Sequence, residues 1–193
     1  MDVPVEVRLR LERLVAWMEG QDESVAAHGL RVSRLARELG LAAGLRGEQL
    51  EILTFGAHLH DLGKALFGAD LLHKAERLSP GERKALQEHA RAGALVMESL
   101  DLPLRFQEIA ACHHERFDGT GYPLGLKGNG IPFMARLTSV ADAFDAMTVT
   151  RDYHRALPRE AACQEILDHC GTQFCPEAVA AFVQVFQLEA ALA

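Results

Sequence analysis

Apolar residues recur along most of the chain at the spacing of an amphipathic α-helix, and the alternation typical of strands is almost absent. Three such stripes occupy the first third, and the third one runs into a histidine and an aspartate. Their members are Val7, Leu11, Leu14 and Met18; Val25, His28, Val32, Leu35 and Leu39, closed by Gly40; and Leu50, Leu53 and Ala57, followed by His60 and Asp61. The pattern predicts helices over all three segments.

Residues typical of helix N-termini predict further helices in the rest of the chain. Ser79, Pro80 and Glu82 form a capping box, which predicts a helix that carries His89 and ends near Leu100. Four prolines predict the beginnings of later helices, of which the first leads to His113: Pro103, Pro132, Pro158 and Pro176. Residues 115–130 hold five glycines and are expected to form an ordered functional loop. We therefore predict an all-α fold and a single domain over residues 1–193.

Charge and composition narrow the possible partners. The net charge of -7 argues against DNA or RNA as a partner, although bound metals would still allow a small anionic ligand. No apolar run reaches the roughly 18 residues of a membrane span, and the first residues lack a secretion signal. A cytoplasmic location without membrane contact is expected. The four cysteines form no CxxC pair and are expected to be small buried residues.

Five histidines fall at inward helix positions or beside the glycine-rich loop. A single inward histidine is more often a hydrogen-bonded core residue than a ligand. Five of them together with two aspartates would form an unusually polar core, in which every member needs a partner. Divalent cations satisfy imidazole and carboxylate groups together. The seven residues are His28, His60, Asp61, His89, His113, His114 and Asp142.

The segment "HDLGK" (60–64) is the most informative motif that contains these residues. His60 and Asp61 are adjacent at a predicted helix end, so one cation can bind both, or Asp61 can bridge two cations. Gly63 is expected to free the backbone there, and Lys64 places a positive charge one turn after Asp61.

In order and spacing, these motifs resemble the HD-GYP domains, a subgroup of the HD phosphohydrolases. The resemblance covers about residues 22–185 and is carried by "HGLRVSRLARELGL", "HDLGK", "EHARAG", "HHERFDGTGYPLGLKGNGIP" and "ARLTSVADAFDAMTVTRDY". It implies a helical HD-domain bundle with a GYP loop. It also implies a phosphodiesterase that hydrolyses the bacterial second messenger cyclic di-GMP to pGpG or GMP.

The resemblance further implies two divalent metal ions that share Asp61. His28, His60 and Asp142 would complete one position, and His89, His113 and His114 the other. Iron and manganese are the expected metals, with zinc possible. Two such ions lower the pKa of a shared water and direct it at phosphorus, so Asp61 is expected to be catalytic. Lys64 is expected to be catalytic too, stabilising developing charge or assisting the leaving group.

Substrate contacts are expected from the loop and from residues near Asp142. Gly121, Tyr122 and Pro123 would form a substrate wall, with the alternative that the loop only packs against the domain or contacts a partner. Arg151 corresponds to a family residue that touches ligand phosphate. Asp145 is expected near the substrate as a supporting or arginine-pairing residue rather than a ligand.

The chain departs from the family pattern at several positions. Ser24 stands where some relatives carry a third-metal glutamate, so a two-metal site is expected. Asp152 replaces the proline of "RPY", and His154 stands where a Lys or Arg is common. Cys175 replaces a usual aspartate, and we expect this to cost a structural hydrogen bond.

These departures leave two alternatives open: a phosphohydrolase for another nucleotide, and a non-catalytic module that binds cyclic di-GMP. Possible protein partners are a diguanylate cyclase of the GGDEF type, sensor or receiver proteins, and a second copy in a homodimer.

Overall fold

The computed structural model describes residues 3–72, 74, 76–150 and 156–187. Within them lie ten α-helices and two short 3₁₀ helices, Leu62–Leu66 and Gly128–Gly130. The α-helices are α1 (Val5–Gln21), α2 (Glu23–Ala42), α3 (Gly47–His58), α4 (Ala69–Leu72), α5 (Pro80–Gln87), α6 (His89–Ser99), α7 (Leu104–Cys112), α8 (Phe133–Thr148), α9 (Arg159–Asp168) and α10 (Pro176–Phe186). The described residues contain no strand beyond one isolated bridge. The predicted all-α fold is confirmed.

The proline signals place helix starts correctly. Pro103, Pro132 and Pro158 directly precede α7, α8 and α9, and Pro176 is the first residue of α10. Proline suits these positions because its fixed φ favours helix entry and the first helical N–H groups need no intrahelical acceptor.

The capping box before α5 is also confirmed, but the helix that follows it is shorter than predicted. The Ser79 side chain accepts from the Glu82 amide, and the Glu82 carboxylate accepts from the Ser79 amide. The predicted helix to Leu100 is two helices, α5 and α6, that meet at Glu88. The His89 ring bonds the Leu86 carbonyl at 2.6 Å, the acceptor that a continuous helix would offer to the amide of residue 90.

Gly40 does not end α2, which continues to Ala42. A Cβ atom at Gly40 would lie 2.6 Å from a methyl carbon of Leu53 on α3. The glycine therefore permits close packing of α2 against α3 and is not a helix stop.

Two apolar clusters build the core, and α3 contributes to both. One contains Leu39, Leu53 and Phe182 from α2, α3 and α10. The other contains Ile52 from α3 and Phe106 from α7. The chain that leaves α3 therefore begins inside the protein, which is why the polar residues that follow this helix are buried. No helix in the described part of the chain combines the length and hydropathy needed to cross a bilayer.

Candidate metal centre

Seven buried or half-buried side chains from α2, α6, α7, α8 and the turn after α3 meet in one cluster. They are the seven residues predicted from the sequence. Their ligand atoms form two groups, and within each group these atoms lie within 4.8 Å of one another: Asp61, His89, His113 and His114; and His28, His60 and Asp142. The geometry brings the residues together, while their role as metal ligands stays a prediction.

Close contact between the first 3₁₀ helix and α6 sets the position of Asp61. A Cβ atom at Gly63 would lie 2.0 Å from the His89 carbonyl oxygen, so the two backbones touch there. Asp61 Oδ1 consequently lies 3.2 Å from His89 Nε2. Gly63 was expected to give the backbone freedom, but its φ is not positive and its function is this close approach.

Three of the histidines are oriented by the helix end that carries them. Each ring bonds, through Nδ1, the carbonyl three residues earlier: His60 to Ala57 at 2.7 Å, His89 to Leu86 at 2.6 Å, and His113 to Ala110 at 2.8 Å. Because a carbonyl can only accept, Nδ1 carries the proton and Nε2 keeps its lone pair. Each Nε2 faces the centre of the cluster, as in a metal-ligating imidazole.

Two buried acceptor atoms of the cluster have no hydrogen-bond donor among the described residues. His60 Nε2 lies 3.4 Å from Asp61 Oδ2, and His113 Nε2 lies 3.7 Å from Asp61 Oδ1. Both atoms of each pair are acceptors, and among the described residues His60 Nε2 and Asp61 Oδ1 are buried without a hydrogen-bond partner. An unsatisfied buried group costs about 1–3 kcal/mol. Divalent cations satisfy such a set of imidazole and carboxylate atoms, so the residues fit metal ions.

The protonation states also suit metal binding. Burial lowers the pKa of His113 to about 4 and holds the pKa of His114 well below its usual value. Burial by itself raises the pKa of Asp61, but Lys64 and His60 bring it well below its usual range. For Asp142 the same effect of burial is outweighed by its bond to His28, and its pKa is also well below the usual range. Neutral imidazole and ionised carboxylate are the forms that bind cations.

His28 differs from these histidines, because its Nδ1 bonds a carboxylate. Nδ1 lies 2.7 Å from Asp145 Oδ2, and Nε2 lies 3.1 Å from Asp142 Oδ1. Burial lowers the pKa of His28, but the bonds to Asp142 and Asp145 raise it to about 9. Asp145 also accepts from Arg31, at 2.6 and 3.0 Å. Asp145 thus makes the arginine pair that was expected of it, and its contact with substrate stays a prediction.

Lys64 lies at the edge of the cluster. Its Nζ donates to Asp61 Oδ2 at 2.5 Å, and its side chain is about one-fifth exposed. The ammonium group therefore contacts the Asp61 carboxylate and is also open to solvent.

The glycine-rich loop forms a wall beside the cluster. The Tyr122 ring stacks on His114 with 4.8 Å between ring centroids, and the peptide bond from Tyr122 to Pro123 is cis. A Cβ atom at Gly121 would lie 2.3 Å from the Arg116 amide nitrogen, so the loop folds directly onto its own beginning. Burial raises the pKa of the Tyr122 hydroxyl, as do the nearby carboxylates, and the group stays a hydrogen-bond donor.

Glu115 anchors this loop, although the sequence did not predict this role. The side chain is buried, and its carboxylate accepts three backbone amides, from Leu124 at 2.7 Å and from Gly125 and Leu126 at 3.1 Å. Arg31 was missed as well. The sequence feature that could have indicated these roles is a charge close to a candidate ligand. Glu115 directly follows His114, and Arg31 lies one turn after His28.

The remaining predicted positions lie farther from the cluster or outside the described residues. Ser24 bonds Asp22 through both its hydroxyl and its amide, as part of the cap of α2. Arg136 donates to Cys175 Sγ at 2.9 Å, while its buried Nε has no hydrogen-bond partner among the described residues. Residues 151–155, which include Arg151, Asp152 and His154, lie outside the described residues.

Comparison with known proteins agrees with this fold. The HD domain profile matches residues 11–177. A cyclic di-GMP phosphodiesterase of Thermotoga maritima is 35% identical over 177 residues, which are 91% of this chain and 48% of that protein. A 3'3'-cGAMP-specific phosphodiesterase of Vibrio cholerae is 32% identical over 164 residues, which are 84% of this chain and 31% of that protein.

Solved structures give the same result. An HD-GYP-type protein from Bdellovibrio bacteriovorus superposes with a TM-score of 0.69 at 25% identity, over 84% of this chain and 52% of that one. The chain spans about half the length of its Thermotoga relative. With a helical fold, a buried His/Asp cluster and a Gly-Tyr-Pro loop, the chain belongs to the HD domain family, in its HD-GYP group.

Proposed function

We propose that this chain is a metal-dependent phosphodiesterase that hydrolyses cyclic di-GMP to pGpG or GMP. The observation that carries the proposal is a pair of buried acceptor atoms in the cluster, His60 Nε2 and Asp61 Oδ1, that have no hydrogen-bond partner among the described residues. The name of the Thermotoga relative supports the choice of substrate.

The two groups of side chains would hold two divalent ions, with Asp61 shared between them. Asp61 is suited to bridging because its Oδ2 faces His28 and His60, while its Oδ1 faces His89 and His113. We propose iron or manganese, with zinc possible, because histidine-rich sites bind all three. When bound, such a pair of ions lowers the pKa of a water and neutralises charge on the phosphate.

The protein would orient the substrate around these ions. Lys64, at the edge of the cluster, would donate to a phosphate oxygen or to the leaving oxygen. Tyr122 would offer its protonated hydroxyl to phosphate, while the exposed part of its ring is available to guanine. The loop from Gly121 to Pro123 would exclude water from one side of the site. Arg151 and Asp145 are further proposed contacts.

Turnover of cyclic di-GMP tests this proposal. The protein is freed of metal, reloaded with Mn²⁺ or with Fe²⁺ under argon, and its products are separated by chromatography. The parent protein should form pGpG or GMP, and the Asp61→Ala variant should lose at least 100-fold in kcat, a loss of the size seen when key electrostatic groups are removed. Asp168→Ala removes an exposed carboxylate on α9 and should retain parental turnover. Inactivity of the parent with every metal contradicts the proposal, and tight binding without turnover favours a binding module.

A second candidate substrate is a hybrid cyclic dinucleotide. The Vibrio cholerae relative is named as specific for 3'3'-cGAMP and matches most of this chain. Both substrates need the same metal cluster, so only the pocket wall distinguishes them. Comparing kcat/KM for cyclic di-GMP and 3'3'-cGAMP decides between the two.

We also propose a cellular location, a domain extent and partners for this chain. We expect it to act in the cytoplasm, as one domain over residues 1–193. Its partners would be a diguanylate cyclase, a sensor or receiver protein, or a second copy of the chain.

A further inference from the structure

The two ligand groups differ in the hydrogen-bond partners of their histidine Nδ1 atoms. Behind His60, His89 and His113, the Nδ1 atom bonds a neutral backbone carbonyl. Behind His28, the Nδ1 atom bonds the Asp145 carboxylate at 2.7 Å. Of the four cluster histidines whose Nδ1 contact is described, His28 alone has a charged partner.

A carboxylate and a carbonyl affect an imidazole differently. A carboxylate that accepts from Nδ1 makes Nε2 a more basic ligand and fixes the ring plane more strongly than a carbonyl does. His28 Nε2 lies 3.1 Å from Asp142, which is in the same ligand group. Asp145 would therefore influence metal binding by the group that contains His28, His60 and Asp142, and not by the group that contains His89.

Arg31 holds Asp145 in the orientation that His28 needs. Its Nε donates to Oδ1 at 2.6 Å and its Nη2 donates to Oδ2 at 3.0 Å, so the guanidinium fork fixes the plane of the carboxylate. Asp145 is 6% exposed, whereas the Arg31 side chain is 39% exposed. A substitution at Arg31 therefore alters a partly exposed side chain and leaves the candidate metal ligands themselves unchanged.

We propose that Arg31 and Asp145 are positioning residues that act through His28 on one metal position only, the one formed by His28, His60 and Asp142. The inference rests on the proposed function in that it needs two cations in the cluster. It makes the two positions unequal, because among the described Nδ1 contacts of the cluster histidines only that of His28 is to a charged group.

Titration of the metal-free full chain with Co²⁺, followed by the visible absorption of the bound ion, tests this inference. The parent should bind two ions in two resolvable steps. The Asp142→Asn and His89→Gln variants assign each step to a ligand group, because each removes a candidate ligand from one group. The Asp145→Asn variant should weaken the step that Asp142→Asn weakens, by about 10–100-fold, and shift the absorption of that ion. The other step should be unchanged.

Arg31 variants separate positioning from a general loss of structure. Arg31→Met should weaken the same step by a smaller factor, and Arg31→Lys should restore part of the affinity because it retains one charged donor. Arg8→Met is the matched control, since it breaks an arginine–glutamate pair between α1 and α3, with Glu51 about two turns before the end of α3. It should leave both steps unchanged.

Each outcome decides for or against the inference. Selective weakening of one step supports it. Equal weakening of both steps, no weakening, or a parent that binds fewer than two ions overturns it. A parent that binds two Co²⁺ ions, responds selectively to Asp145→Asn and yet turns over no cyclic dinucleotide with any metal counts against the proposed function alone.

Discussion

At the residue scale, the most informative side chains are charged groups that lie beside the cluster or its loop without belonging to the seven candidate ligands. Asp145 bonds the ring of the candidate ligand His28, and Arg31 donates to Asp145. Glu115 accepts from the backbone of the glycine-rich loop. The candidate ligands could be predicted from the sequence because several histidines and aspartates at inward positions are costly to bury unless they share a partner. Glu115 and Arg31 were not predicted, because a charged residue in a helix or loop is usually solvated and closeness in sequence to a candidate ligand is a weak signal.

Glu115 is expected to set the rigidity of the loop. The Glu115→Gln variant keeps the side-chain size but replaces one acceptor oxygen with a donor, so at least one of three amide bonds is lost. We expect a loss of about 1–3 kcal/mol in the free energy of unfolding. Hydrogen exchange of the amides of residues 124–126 should be faster, and the KM for cyclic di-GMP should rise more than kcat falls.

The control for this variant is Glu177→Gln, which changes a carboxylate that is two-thirds exposed at the beginning of α10. Unchanged amide exchange and unchanged KM in Glu115→Gln would show that the loop is held by other contacts.

Cys175 offers a second test at this scale. The thiol accepts one bond from Arg136, and the buried Nε of that arginine has no partner among the described residues. Cys175→Asp would supply two charged acceptor oxygens. We expect a gain of about 1 kcal/mol in the free energy of unfolding, measured in urea, because the gain of bonds to a charged group exceeds the cost of burying the carboxylate.

Cys175→Ser, which supplies a neutral acceptor, should give a smaller change. A loss of stability in Cys175→Asp would show that burial of the charge dominates at this site.

At the element scale, the sequence predicted which segments are helical more accurately than it predicted where they end. Prolines and the Ser79 cap are local signals, and they place helix starts correctly. The break at Glu88 and the continuation of α2 past Gly40 depend on a side-chain bond and on contact with another helix. Long-range contacts of this kind cannot be read from local spacing.

Gly63 shows the consequence of one such contact. A Cβ atom there would lie 2.0 Å from the His89 carbonyl oxygen and 2.7 Å from the Gly93 amide nitrogen. In the Gly63→Ala variant the 3₁₀ helix must move away from α6, which should cost about 1–3 kcal/mol of stability. Since Asp61 lies just before this helix, Co²⁺ affinity should fall as well.

Gly68→Ala is a matched control, because nothing lies within 4 Å of a Cβ atom at that position. Equal stability and equal Co²⁺ affinity in the two variants would contradict the role of this contact.

At the scale of the whole molecule, residues from five distant segments meet only when the helices pack. The sequence predicted the seven residues of the cluster, through the resemblance and through their polar character at inward positions. The grouping around the two faces of Asp61, the charged support behind His28 and the anchoring of the loop required coordinates. The expected single domain and the contacts of Arg151 stay predictions.

The most direct test of the central claim is the number and position of cations in protein purified without chelator. Elemental analysis should give two transition-metal ions per chain, iron or manganese, and anomalous scattering should locate one on each side of Asp61. The Asp61→Ala variant should retain at most one. A chain with no stoichiometric metal, or with ions bound away from the seven residues, would contradict the account.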